Sequence, residues 1–106
     1  MEGLWSATFT GRVGTGHGVV VFSGDNVVGG DGVFYWIGTY AVQGETITAK
    51  LQASSHSGVA EVTVLGTVAR SFSLELSGSA PTNPSVGSKW EVTGTGGMKV
   101  TLMRLA

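Results

Sequence analysis

Apolar and polar positions alternate along most of the chain with a period of two, the signature of half-buried strands rather than helices. Trp5, Ala7 and Phe9 share one face of a first predicted strand, and Ser6, Thr8 and Thr10 share the other. Residues 11–18 are glycine-dense and read as a connection. Residues 19–22 form a second strand that ends at the Gly24-Asp25-Asn26 turn. Val27-Val28 continues the sheet before Gly29-Gly30-Asp31-Gly32 reverses the chain. Residues 33–42 are a third strand, and Gln43-Gly44 is a hairpin connection into residues 46–53, where Ile47, Ala49 and Leu51 alternate with Thr48, Lys50 and Gln52. Residues 54–58 are a polar loop, with at most one short turn over residues 57–61. Strands over 61–68 and 71–76 follow, the latter with Phe72, Leu74 and Leu76 in phase. Residues 77–88 contain both prolines and predict an exposed break. Trp90 and Val92 mark a seventh strand; after a turn over 94–97, Met98, Val100 and Leu102 mark an eighth.

Eight short strands joined mostly by hairpin-sized connections predict one all-β domain over residues 1–106, an antiparallel meander. Closing it into an eight-stranded up-and-down barrel removes the free edges that would invite aggregation. Trp5, Phe9, Val20, Phe22, Phe34, Trp36, Tyr40, Leu51, Phe72, Leu74, Val92 and Leu102 are the predicted interior, with Trp90 at its end. A barrel of this size is either filled by side chains or holds one modest ligand. Four of the nine aromatic residues, Phe34, Tyr35, Trp36 and Tyr40, fall in or at the end of the third strand. Aromatic rings dominate burial, so this strand is central to whatever core or interface forms.

Two features at the chain ends sharpen the barrel. Gly3-Leu4-Trp5 opens the first strand, and Arg104 shares the parity of Met98, Val100 and Leu102, which points it inward. This resembles the calycin pattern, in which a first-strand tryptophan lies under an arginine from the last strand. With Gly-Val-Val-Val-Phe at 18–22 and Gly-Gly-Asp-x-x-Phe-Tyr-Trp-x-Gly-Thr-Tyr at 29–40, including Gly29, Gly30 and Asp31, the first half of the chain resembles the GrlR-like family. That family is named for a negative regulator of type III secretion genes. The resemblance implies a calycin-like barrel, a homodimer, and regulation by binding a transcriptional activator protein. One departure stands out. The named regulator has an acidic Glu-Asp-Glu-Asp run after its aromatic strand, whereas here the loop reads Gln43-Gly44-Glu45-Thr46, with one carboxylate.

Composition narrows the function classes. Charged residues are 12% of the chain, about half the usual ~25%, and eighteen glycines exceed twice the usual ~7%. Six scattered lysines and arginines and a net charge of −1 give no basic face for direct nucleic-acid binding. There is no cysteine, so disulfides, thiolate metal sites and cysteine nucleophiles are out. The first residues lack the basic and apolar regions of a secretory signal, and no apolar run approaches ~18 residues, which sets the expectation of a cytoplasmic protein away from membranes.

Candidate chemistry is sparse. Gly14-x-Gly16-x-Gly18 and Gly94-x-Gly96-Gly97 match neither phosphate-loop pattern and precede no helix. His17 and His56 have no ligand partner at metal spacing, so no metal or cofactor is expected. Asp31 fits an Asx turn that satisfies nearby amides. Ser54-Ser55-His56-Ser57 lacks the geometry and orienting acid of a triad. Glu75 and Glu91 alternate with core residues and should face solvent, and proline in Asn83-Pro84-Ser85 rules out glycosylation there. The expectation is a protein that is not an enzyme.

A last pattern bears on partners. Val19 and Val21 oppose Val20 and Phe22, and Tyr35 and Ile37 oppose Phe34 and Trp36, although a barrel strand needs only one apolar face. Either a second subunit covers the outer residues, the favoured reading, or the 11–17 connection folds over them. Function then divides between a GrlR-like negative regulator that binds protein through Val19, Val21, Tyr35, Ile37 or Glu45, and a carrier or sensor of a small apolar ligand held near Trp5, Phe22, Phe34, Trp36, Tyr40, Trp90 and Arg104. A filled interior favours the first, and an empty pocket of a few hundred Å³ the second.

Overall fold

Trp5, Ala7 and Phe9 do point inward, and the strand that carries them is one stave of a closed antiparallel barrel. The computed structural model describes residues 2–81 and 84–106. Its barrel strands are β1 (Gly3–Gly11), β2 (Gly14–Ser23), β3 (Asn26–Gly30), β4 (Phe34–Gln43), β5 (Thr46–Ser55), β8 (Ser71–Ser79), β9 (Lys89–Gly94) and β10 (Lys99–Arg104). They follow one another in up-and-down order, and β1 pairs with β10 to close the ring. Between β5 and β8 a separate small hairpin is made by β6 (Glu61–Val62) and β7 (Val68–Ala69). The topology is calycin-like, as the end motifs imply, and Trp5 stands directly opposite Arg104 on the closing strand pair.

The strand count agrees with the sequence reading, but its makeup differs in two places. Residues 27–28 belong to a full barrel strand, β3, paired on both sides from Asn26 to Gly30. Residues 61–68 are not a stave; they form the two-residue ladders of β6 and β7, because Thr63 turns inward and bonds Thr67 across the hairpin. The two differences cancel in the count. The 11–18 connection is likewise shorter than predicted, since β2 starts at Gly14 and only Arg12 and Val13 make the turn. Ser54 and Ser55 end β5 rather than opening a loop, and β8 continues to Ser79. A turn at His56 and Ser57 and a bend at Gly58 and Val59, without helix, lead into β6, and the one helical element among the described residues is a 3-10 turn at Thr95–Gly97. Pro81 and Pro84 are half-buried rather than exposed, and Asn83 lies outside the described residues.

Glycine sets how the interior packs. Trp36 projects from β4 across the neighbouring strands, directly over Gly29 and then Gly18. A Cβ on Gly29 would lie 2.4 Å from the Trp36 Nε1 and 2.2 Å from the Val19 carbonyl oxygen; one on Gly18 would lie 2.9 Å from the indole edge. Phe9 covers Gly16 in the same way, at 2.3 Å. Large rings therefore fit inside a narrow barrel because the facing positions carry no side chain, a large-against-small alternation that lets the layers interdigitate. Rings meet edge to face around this packing: Phe9 with Trp36 at 5.8 Å, Phe22 with Tyr40 at 5.0 Å, and Phe34 with Phe72 at 5.3 Å. Each such pair adds roughly 0.5–1.5 kcal/mol beyond its area.

A paired substitution tests this. Gly29→Ala forces a methyl into the Trp36 ring and the Val19 backbone, so a loss of about 1–3 kcal/mol is expected in urea unfolding. Gly32→Ala meets open space, has no positive φ, and should be neutral or slightly stabilising.

Candidate functional site

The interior is not filled. An apolar cavity of ≈ 250 Å³ runs down the barrel axis, walled by rings and aliphatic groups including Phe9, Phe34, Trp36, Phe72, Leu74 and Leu102. Ala49 and Ala53, both buried, leave much of the space, because the inward positions of β5 alternate their methyls with the larger Ile47 and Leu51. The cavity reaches the surface at the end where the β1–β2 turn, the β3–β4 connection and the β6–β7 hairpin meet. Exposed Val13, Thr15, Val33 and Val62 rim it there.

The hairpin covers part of that mouth. Thr63 is fully buried, its hydroxyl 2.8 Å from that of Thr67 and also accepting from the Leu65 amide at 3.2 Å. Val64 packs so closely on the β1–β2 turn that a Cβ on Gly11 would lie 2.2 Å from its carbonyl oxygen. At the β3–β4 connection, one Asp31 carboxylate oxygen accepts from the Val33 amide at 2.8 Å and the Phe34 amide at 2.7 Å. Asp31 thus fixes the turn that leads Phe34 into the barrel and also lines the cavity.

The opposite end is closed. Trp5 is fully buried and packs edge to face on Phe22 at 6.3 Å and on Trp90 at 6.0 Å. The Trp90 indole N–H donates to the Ser79 carbonyl, and Arg104 donates to the Pro84 carbonyl through its terminal nitrogen. Trp5, Trp90 and Arg104 do not line the cavity; Phe22 and Leu102 form its floor in front of them.

No protein-family model matches this chain, and neither does any curated protein.

The predicted site residues separate into three places. Phe22, Phe34 and Trp36 wall the cavity, while Trp5, Tyr40, Trp90 and Arg104 lie beyond its lining. Val19, Tyr35 and Ile37 are exposed on the outside and Val21 is half-buried there. The 11–17 connection cannot fold over them, because most of it is β2 itself. Val28 of β3 completes this outer face: it pairs with Val21 on one side and Ile37 on the other, and the same two ladders set Gly30 between Val19 and Tyr35. Glu45 sits apart, exposed on the β4–β5 turn at the closed end. Glu75 and Glu91 are exposed as expected. His17 bonds the Thr8 hydroxyl at 3.2 Å, and His56 packs beside the Tyr35 ring.

Sequence reasoning missed the hairpin residues 62–64 as cavity lining and underweighted Ala49 and Ala53. Parity places the alanines inward, but only their size relative to their neighbours reveals a void.

Burial pushes the Tyr40 phenol above the usual tyrosine range, and the carboxylates of Glu2 and Asp25 push it further. The folded state thus holds this proton more tightly than the unfolded chain. Its contribution is complete below the unfolded value of about 10 and is lost as pH rises through the higher folded value. Tyr40→Phe is expected to lose less stability than wild type between about pH 8 and about pH 11, measured by urea unfolding.

Proposed function

We propose that this protein binds a small apolar molecule inside its barrel, as a carrier or sensor, and performs no chemistry on it. The observation that carries the reading is the axial cavity of ≈ 250 Å³ with its almost wholly apolar wall, reaching the surface at one end. An apolar cavity of ~150 Å³ accommodates benzene, so by proportion this one suits a ligand of about ten heavy atoms. Transfer of such a molecule from water gains roughly 0.8 kcal/mol per buried methylene. Calorimetric titration with 1-octanol is expected to give one site per chain. Ala53→Leu places three more carbons in the cavity and is expected to weaken binding about fiftyfold, with folding checked by the melting temperature. Absence of saturable binding by the folded wild type contradicts the reading.

One observation supports a second reading, protein binding through the outside of the barrel. Val19, Val28, Tyr35 and Ile37 are each more than two-fifths exposed and lie side by side on β2, β3 and β4. Contiguous exposed apolar groups mark association surfaces. A closed barrel has no free edge to extend, so a second copy would meet this one face to face. The GrlR-like role, restraint of a transcriptional activator, would use this face or, apart from it at the closed end, the β4–β5 turn that carries Glu45. Sedimentation is expected to give a dimer that Val21→Glu with Ile37→Glu converts to monomer; a monomeric wild type at high concentration excludes the symmetric contact.

A further inference from the structure

We infer that the cavity is selective by charge and takes an uncharged apolar molecule, rejecting anionic amphiphiles such as alkyl carboxylates. The inference rests on the cavity reading above and adds the chemical class of its ligand. Among the described residues that line the cavity, Asp31 is the only ionisable one, and there is no lysine, arginine or histidine. An anionic head group drawn into the barrel would therefore lose water without meeting a cation, which is costly. Within the lining it would approach a like charge, Asp31, whereas Arg12 and Lys99 at the same end line a neighbouring groove and not the cavity.

Three further observations support this. The inward guanidinium of Arg104 is held at the closed end by the Pro84 carbonyl and does not line the cavity, so it cannot serve as a counter-charge. Thr63, a polar group on the inner side of the hairpin, is already bonded to the Thr67 hydroxyl and the Leu65 amide. Asp31 itself spends one oxygen on the Val33 and Phe34 amides, so it is a turn-forming group that contributes its negative charge to the mouth and is not free to clamp a ligand with both oxygens.

The test compares 1-octanol, octanoate and octylammonium at neutral pH, read by calorimetry and by the fluorescence of Trp36, which lines the cavity. Because Trp5 and Trp90 also emit, Trp36→Phe identifies the part of the signal due to Trp36. Octanol is expected to bind at least tenfold tighter than octanoate. Asp31→Asn keeps an oxygen acceptor for the two amides while removing the charge, and is expected to narrow that ratio severalfold. Octanoate binding as tightly as octanol overturns the inference while leaving the cavity reading intact. Octylammonium binding tighter than octanol also overturns it, since Asp31 would then anchor a cation. If none of the three binds, the cavity reading itself fails and the inference fails with it.

Discussion

The packing of Trp36 against Gly18 and Gly29 is the constraint on which the barrel depends. An eight-stranded barrel has little interior width, and the Trp36 indole fits there because the neighbouring staves present no Cβ at Gly18 and Gly29. At Gly29 the space is closed from two sides, by the indole and by the Val19 carbonyl oxygen, so alanine there forces a shift of ring or backbone. The same relation recurs with Phe9 over Gly16. Three glycines, Gly16, Gly18 and Gly29, thus receive rings, while others turn the backbone.

The cavity follows from the same arrangement. Rings from β1 and β4 lie against the glycine-bearing staves β2 and β3, and β5, beside β4 and across the barrel from β1, contributes only the short methyls of Ala49 and Ala53. The closed end is sealed by Trp5, Phe22 and Trp90. The open end is partly covered by a hairpin whose own hydrogen bonds hold Thr63 inward. Shape, wall chemistry and the single rim carboxylate together favour a compact, uncharged guest.

The fold was legible because period-two alternation survives in nearly every stave, and because Trp5 and Arg104 mark the two strands that meet at the seam. The local reading of glycine was less successful. Gly14, Gly16 and Gly18 look like a loop from composition, yet they are strand residues, and Gly29-Gly30 looks like a turn but completes β3. Sequence shows that a glycine lacks a side chain; it does not show that Phe9 or Trp36 fills the place from another strand. Residues 61–68 failed for a different reason, since Val62, Val64 and Val68 alternate as a stave would while Thr63 folds the segment back on itself. The outer residues Val19, Tyr35 and Ile37 were found by parity, whereas Val28, which joins them into one face, was hidden by the underestimated length of β3.

The most direct test of the central claim is to locate a bound molecule. Nuclear Overhauser contacts between protonated 1-octanol and the protein should appear to the Ala49 and Ala53 methyls and to the rings of Phe34 and Trp36. Contacts confined to Val28, Tyr35 and Ile37 on the outer face, with none to the alanine methyls, would contradict the account.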